Sequence, residues 1–415
     1  MNLRTIYKYA SGRTMHRFLL YFLTILLCSV MFLLLLASWF SWRYVRHERY
    51  ACDQCLNGGN RQCGMLMIES ENGFDPDFLE EISQMDEIVG FTSGDVHDFP
   101  VDEIEKYGEQ QKKMDPEYVE NTGFVPWFLM NTSGIDVCQF NLREGMRPEE
   151  WQLQENEELI YLGGNFEDVT VGEKFESKRE PVTYVVGGIL EKGTNWIYDD
   201  VYIFETVQDS HYVQCLDNMV VELVPYWVSG RCTYCVKKGY KMEDAESKLL
   251  EVAEKHGVVI KLARLEDVLD ENEYQFSIIL NVIRLLTVII IVTSMIVLER
   301  TQYSEMVNDT EYFGIFYANG ASTRDLTAIL VGENLLKVAV SFTLAVVFGY
   351  FILRFEWQMF QLGIDQWNTA KSVYFGQAVL PSLLIGVGLV ALCTMKSIHW
   401  LKQKKPMELL KDYKV

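Results

Sequence analysis

The chain has 415 residues, 49% of them apolar, and carries 58 Asp and Glu against 37 Lys and Arg for a formal net charge of −21. A chain this acidic is a poor partner for nucleic acid, whose phosphates repel it. Its apolar residues gather in four long runs instead of being spread along the sequence, which argues against a wholly soluble protein and for a membrane protein.

Residues 1–17 hold Arg4, Lys8, Arg13 and Arg17 and no acidic residue, which reads as a cytoplasmic N-terminal segment by the excess of basic residues on that side of a membrane. Residues 18–40 contain no charged side chain and are long enough to cross a hydrocarbon core of roughly 30 Å. The run exceeds the apolar core of a secretory signal, so it reads as a retained anchor and first span. Residues 41–275 form the predicted extracytoplasmic domain. Within residues 43–273 lie 48 of the 58 acidic residues but only 21 of the 37 basic ones, leaving the rest of the chain basic. That acidity either keeps the domain solvated or attracts cationic peptides.

The domain opens as helix, with SWRYVRHERY prolonging the first span until the Cys/Gly/Asn-rich run 52–64 ends it. MLMIES then predicts a strand, FDPDFLEEISQM a helix capped by Asp75 or Asp77, and EIVGFTS a second strand. Residues 100–155 are charged, punctuated by Pro and Gly, and predict few regular elements. Short β-type runs follow: LIYLGG, VTYVVGGIL and DDVYIFE. Residues 232–237 read as strand, MEDAESKLLEVAEKHG as an amphipathic helix ended by Gly257, and VVIKLA as a closing strand. ARLEDVLDENEYQF is helical and enters the second span without a break. Strand, helix, strand appears at both ends of the domain, predicting an α+β unit in two halves with a β-rich insertion.

The remaining spans are residues 276–298, 328–353 and 373–395. Between them lie a cytoplasmic loop, 299–327, and a short external loop, 354–372; a basic tail, 396–415, carries Lys396, Lys402, Lys404, Lys405, Lys411 and Lys414. Four crossings put both termini on the cytoplasmic side. The predicted fold class is therefore an α-helical membrane protein with four transmembrane helices and an α+β extracytoplasmic domain between helices one and two.

Seven cysteines fall in that domain: Cys52, Cys55, Cys63, Cys138, Cys215, Cys232 and Cys235. An oxidising exterior makes all seven disulfide candidates. The pairs CDQC and CTYC have zinc-ligand spacing, but about 180 residues separate them, so no metal site is assigned.

Catalytic signatures are absent from the sequence. No G-x-x-x-x-G-K-[ST], H-E-x-x-H or G-x-S-x-G occurs, and the six histidines are scattered, so the chain is expected to be no enzyme. Charges inside spans are costly and mark functional candidates. Arg284 lies two turns into the second span and can snorkel; Glu333 and Lys337, four apart, are expected to pair near the inner interface.

Residues 299–318 extend the second span as helix, Asn319-Gly320 stop it, and Ser322 with Asp325 start the next helix in a capping box. The loop is thus a helical corner. Glu311-Tyr312-Phe313-Gly314-Ile315-Phe316-Tyr317-Ala318-Asn319-Gly320-Ala321-Ser322-Thr323-Arg324-Asp325-Leu326 resembles the inner-loop motif of the FtsX/MacB superfamily, the mechanotransmission-type ABC transporter permeases, with one extra residue after the acid and Tyr317 where an Arg is frequent. LGGNFEDVTVGEKFESKREPVTYVVGGIL, YCVKKGYKMEDAESKLLEVAEKHG and Lys405-Pro406-Met407-Glu408-Leu409-Leu410 resemble the family's outer domain and tail, in order.

That resemblance implies a permease subunit, in a homo- or heterodimer in the cytoplasmic membrane of a bacterium, that contacts lipid and binds a cytoplasmic ABC ATPase. The ATPase holds ATP and Mg; the chain itself needs no cofactor. The coupling residues it implies are Gly314, Ala318, Gly320, Ala321, Ser322, Arg324 and Asp325. ATP-driven motion would then reach the outer domain for export, lipoprotein handling or peptide resistance. The alternatives are a signalling subunit that activates an extracellular hydrolase or senses a ligand, and a membrane-anchored protein that transports nothing.

Overall fold

The structure, a computed structural model, describes residues 18–69, 75–179, 181–197, 213–225, 230–359 and 364–403. Two units emerge: an α/β domain formed by Val45–Ser277 with Gln361–Asn368, and a helical unit formed by the chain up to Tyr44, Ile278–Phe360 and the chain from Thr369 onward. The basic N-terminal segment, the tail motif from Lys405, and the expected strand DDVYIFE lie outside the described residues.

Helix α1 (Phe18–Cys55) ends where the Gly-rich run begins, and β1 (Cys63–Glu69), α2 (Pro76–Ser83) and β2 (Ile88–Thr92) follow as the sequence predicts. The Asp75 side chain caps α2 by accepting from the Asp77 N–H at 3.1 Å. The stretch that reads as irregular is in fact dense with structure: β3 (Gly94–Pro100), α3 (Glu105–Met114), α4 (Pro116–Thr122), β4 (Phe124–Asn131) and β5 (Leu142–Gly145). Then come β6 (Glu157–Leu162), β7 (Lys174–Glu176), β8 (Thr183–Leu190), β9 (Asn195–Ile197), β10 (Val213–Cys215), β11 (Val220–Val224) and β12 (Arg231–Val236). Helix α5 (Met242–His256) and β13 (Val259–Arg264) close the domain.

The two strand-helix-strand halves combine into one antiparallel sheet in the order β13-β1-β12-β2. Period-two alternation sorts its side chains. Leu66, Cys232, Tyr234 and Val236 face α2 and α5, packing with Phe78, Ile82 and Leu249. Cys63, Met65 and Cys235 face the opposite core. Gly64 stands opposite Tyr234, and a Cβ there would come within 2.5 Å of the Tyr234 ring, so only glycine lets the ring lie across the strand. The insertion builds a second, mixed sheet in the order β3-β4-β11-β6-β8-β5, with β7 on β8. Ile160, Leu162, Trp127 and Val220 fill one of its faces, and Leu159, Tyr161, Phe128 and Val221 the other. The latter face shares its core with Cys63 and Met65 of the first sheet.

In the helical unit, α6 (Leu265–Asn308), α7 (Thr310–Ala318) and α8 (Thr323–Met359) are followed by α9 (Ile364–Val373), which passes through a π-helical turn, Tyr374–Ala378, into α10 (Val379–Gln403). Among the described residues, four helices are long and apolar enough to cross a membrane: Tyr21–Cys55, Leu265–Val307, Thr323–Phe355 and Trp367–Gln403. Met31, Phe32, Leu35 and Leu36 of α1 pack with Val338 and Ala345 of α8 and Leu389 and Val390 of α10. The architecture is thus the predicted one, four membrane helices with an α/β domain between the first and second. One departure lies in the extension of α6, where the expected uninterrupted helix over 299–318 breaks at Asp309 (φ −103°, ψ 24°). The Thr310 hydroxyl competes with the helical ladder here, donating back to the Val307 carbonyl at 2.5 Å.

Candidate functional site: a capped helical corner and a buried polar network

The α7-to-α8 corner is built from local hydrogen bonds. Gly320 takes the left-handed conformation (φ 85°) and donates its N–H to the Tyr317 carbonyl at 2.9 Å, while Ala321 N–H reaches the Phe316 carbonyl at 2.9 Å. This pair of bonds is a Schellman stop. The Asn319 side chain also donates to the Ile315 carbonyl at 2.9 Å. Two residues on, Ser322 N–H donates to Asp325 Oδ2 at 2.9 Å, and Asp325 N–H donates to Ser322 Oγ at 3.3 Å. The reciprocal bonds of a capping box are therefore present, with Asp doing the work usually given to Glu. Tyr317 and Thr323 share a hydroxyl hydrogen bond of 2.8 Å across the turn.

Beneath the turn, Met306, Phe313, Leu326, Ile329, Leu330 and Leu401 form a small apolar core. The sequence-predicted residues divide accordingly: Gly314 is buried, Ala321 and Asp325 are half-buried, and Ala318, Gly320, Ser322 and Arg324 are exposed. Tyr312 and Ile315, one helical turn apart on α7, are 63% and 44% exposed, and Arg324 near the start of α8 is exposed as well. Neither was singled out by the motif, although their spacing places them on one helix face.

A second cluster lies among α1, α6 and α8. Lys337 Nζ is 3.9 Å from Glu333 Oε1, as the four-residue spacing predicts, but it is closer, 3.5 Å, to Glu305 Oε2. All three side chains are almost completely buried, so the expected Glu333–Lys337 pair has a third member. Glu305 lies in the helical extension over 299–318, and the one signal it carries in the sequence is its helical spacing from Gln302, which is also buried. Tyr21 of α1 hydrogen-bonds both carboxylates, and its ring lies 4.0 Å beneath the Lys337 ammonium. Asn334 donates to Gln302 at 2.9 Å, and Gln302 donates to the Leu330 carbonyl at 3.1 Å. Polar groups from three helices thus meet in one buried cluster, in which Lys337 Nζ, Glu305 Oε1 and Asn334 Oδ1 make no hydrogen bond among the described residues. Arg284 does not join them; it is exposed and donates to Asn281 at 3.2 Å.

In the α/β domain, Cys63 and Cys235 form a disulfide across directly opposed positions of β1 and β12. The two C-x-x-C pairs therefore do not supply four ligands to one point: Cys235 is bonded to Cys63, while Cys232 faces the other core. Among the described residues no group of three or more His, Cys, Asp or Glu is placed to hold a metal ion. A cleft of about 750 Å³ includes Arg49, Arg61, Glu266 and Glu273 in its lining. Its guanidinium groups are engaged, Arg49 with Asp270 at 2.6 Å and Glu273 at 2.7 Å, and Arg61 with Glu266 at 3.2 Å.

Residues 284–401, which contain the corner and most of the polar network, match the family model described as FtsX-like permease C-terminal. No curated protein matches the chain. Among solved structures, the periplasmic region of MacB from Actinobacillus actinomycetemcomitans is similar at 10% identity and a TM-score of 0.32, over 52% of this chain and 94% of that one. The extracellular domain of the noncanonic ABC-type transporter YknZ from Gram-positive bacteria is similar at 9% identity and a TM-score of 0.28, over 48% of this chain and 99% of that one. At those values neither structure assigns a role to any residue of this chain. The motif-bearing corner thus lies inside the stretch that is similar to the C-terminal domain of FtsX-like permeases.

Proposed function

We propose that the protein is the membrane subunit of an ABC system whose separate ATPase docks on the α7-to-α8 corner from the cytoplasm and whose ATP-driven closure moves the outer α/β domain. The corner carries this reading. Its backbone is fixed by two caps, its underside is anchored by Phe313 and Leu326, and its outer surface offers Tyr312, Ile315 and Arg324. A rigid, convex element with one aromatic, one aliphatic and one guanidinium group suits recognition by a protein groove. ATP and Mg belong to the partner, because the chain has no phosphate-cradling loop of its own. The subunit works as a dimer in a bacterial cytoplasmic membrane with both termini inside, and acts on a peptide, lipoprotein or hydrolase at the outer side.

The test is copurification of the cognate ATPase with the full-length chain and measurement of its ATPase rate. Arg324→Glu and Ile315→Asp are expected to abolish association while leaving the subunit folded in the membrane, and Gly320→Pro, which cannot adopt a positive φ, is expected to do the same by unmaking the stop. Undiminished association in all three would refute docking at the corner. Given association, a substrate-export assay set against a hydrolase-activation assay separates transport from signalling.

A further inference from the structure

Three cysteines of the α/β domain are gathered in one core beside the Cys63–Cys235 disulfide. Cys52, Cys55 and Cys138 are 0%, 4% and 0% exposed, and all five sulfurs belong to the same apolar cluster. One antiparallel bridge and its two hydrogen bonds bring Cys55 beside Cys138. After the last turn of α1, Leu56 forms an isolated antiparallel bridge with Cys138. Asn57 N–H donates to the Val137 carbonyl at 2.8 Å, and Gln139 N–H donates to the Cys55 carbonyl at 2.7 Å. The chain is thereby pinned on both sides of the two cysteines, and Cys138 together with burial pushes the Cys55 thiol up. The Asn57 side chain adds a further tie, donating to the Asp136 carbonyl at 2.6 Å.

We propose that Cys55 and Cys138 are the site of a second disulfide, which fastens the end of α1 to the 132–138 turn. That turn is where the two sheets are already stitched together. Asn131 and Ser133 donate to the Phe91 carbonyl of β2, and Ser93 N–H donates to the Asn131 side chain. A bond from Cys55 to Cys138 therefore ties α1 to both sheets at one point, whereas Cys63–Cys235 only reinforces two strands of one sheet. Competing pairings fit less well. Cys232 faces the opposite core, and Cys215 lies in β10 outside this cluster. Cys52 lies one turn before Cys55 on the same helix and is left as the odd one of the five cysteines in this core.

In the oxidation, the Cys55 thiolate attacks one sulfur of an external disulfide, of the glutathione or dithiol-oxidase class, and expels a thiol. The Cys138 thiolate then attacks the Cys55 sulfur of the mixed disulfide and expels the second thiol. Two protein thiols are oxidised by two electrons and one external disulfide is reduced to two thiols. Since both cysteines are buried in the folded domain, this exchange belongs to folding, before the core closes. Conditions that form Cys63–Cys235 supply the oxidant for both.

The experiment uses membranes carrying the full-length chain. They are quenched with acid, dissolved in denaturant with N-ethylmaleimide and digested without reductant, and peptides are mapped by mass spectrometry in the fraction where Cys63–Cys235 is linked. The expected result is a linked Cys55–Cys138 peptide pair with Cys52 alkylated. Cys138→Ser should convert Cys55 to an alkylated residue and leave Cys63–Cys235 unchanged. Alkylation of both Cys55 and Cys138 in wild-type chains that hold Cys63–Cys235, or linkage of Cys55 to Cys52, would overturn the proposal, and neither readout depends on a variant folding.

Discussion

Lys337 serves as the shared cation of two buried carboxylates, and its removal is the most informative single perturbation of the membrane helices. At 3.5 Å from Glu305 and 3.9 Å from Glu333, each attraction is on the order of 4–5 kcal/mol at an effective dielectric of about 20. Desolvation of three ions offsets much of that gain, so the cluster as a whole adds little net stability. Breaking it asymmetrically is another matter. Lys337→Met leaves Glu305 and Glu333 facing each other with their common partner gone and should cost about 3–5 kcal/mol. Glu305→Gln leaves Lys337 beside Glu333 and Tyr21 and should cost about 1–2 kcal/mol, the loss of one charged partner. The double variant should be less destabilised than the sum of the two, with a coupling of about 1–3 kcal/mol. Reversible unfolding of the purified full-length protein in mixed micelles, followed by tryptophan fluorescence, measures all four corners of the cycle. Equal losses from Lys337→Met and Glu305→Gln with strict additivity would refute the shared-cation account.

Two further predictions concern the corner and the domain. A Cβ at Gly320 would meet nothing within 4 Å, so the cost of replacing it is purely conformational. Gly320→Ala should lose about 1–2 kcal/mol, Gly320→Asn less and Gly320→Val more; a flat series in thermal unfolding would show that the left-handed turn does not form. In the domain, His256 Nε2 is 2.7 Å from Glu81 and its Nδ1 is 3.3 Å from Asp75, while Lys255 also reaches Glu81 at 2.7 Å. Glu81, and then Asp75, raise the His256 value above 6.5, so this contribution is complete below the unfolded value and lost as pH rises through the folded one. His256, and then Lys255, lower the Glu81 value below 4.5, so that contribution is complete above 4.5 and lost as pH falls through the folded value. The stability difference between wild type and Glu81→Gln should therefore be largest between pH 4.5 and 6.5. A difference that is greatest above pH 8 would contradict the pairing.

What the sequence discloses depends on how strongly each element declares its period. Helix α5 and strands β1, β12 and β13 carry regular apolar spacing and are legible at once. Residues 100–155 are not. Helix α3 reads EKYGEQQKKM and buries only Tyr107, Gly108 and Gln111, too few to print a stripe. Strand β4 contains Pro126, which ordinarily speaks against a strand. The ladder with β11 begins at Trp127, so Pro126 sits beyond the two-sided part of the strand, where its missing N–H is tolerated. At the corner, glycine and the Ser-Asp pair reveal both caps because capping is local chemistry. Glu305 stays hidden because its burial depends on Tyr21 and Lys337, hundreds and tens of residues away, and no local pattern encodes that meeting. The same holds for Cys55 and Cys138, which a long stretch of chain separates and a single backbone bridge reunites.

The caps at the corner have a consequence for molecular recognition. The bonds that stop α7 and start α8 run only among residues 315–326, so the turn keeps its shape by its own means and spends its backbone donors and acceptors internally. A protein meeting this ridge finds few main-chain groups to grip and must read side chains and contour. It also finds a surface already in its final form, so little conformational entropy is surrendered on contact. Selectivity at such a ridge is set by which residues crown it, and can change from one system to another without any change in the turn beneath.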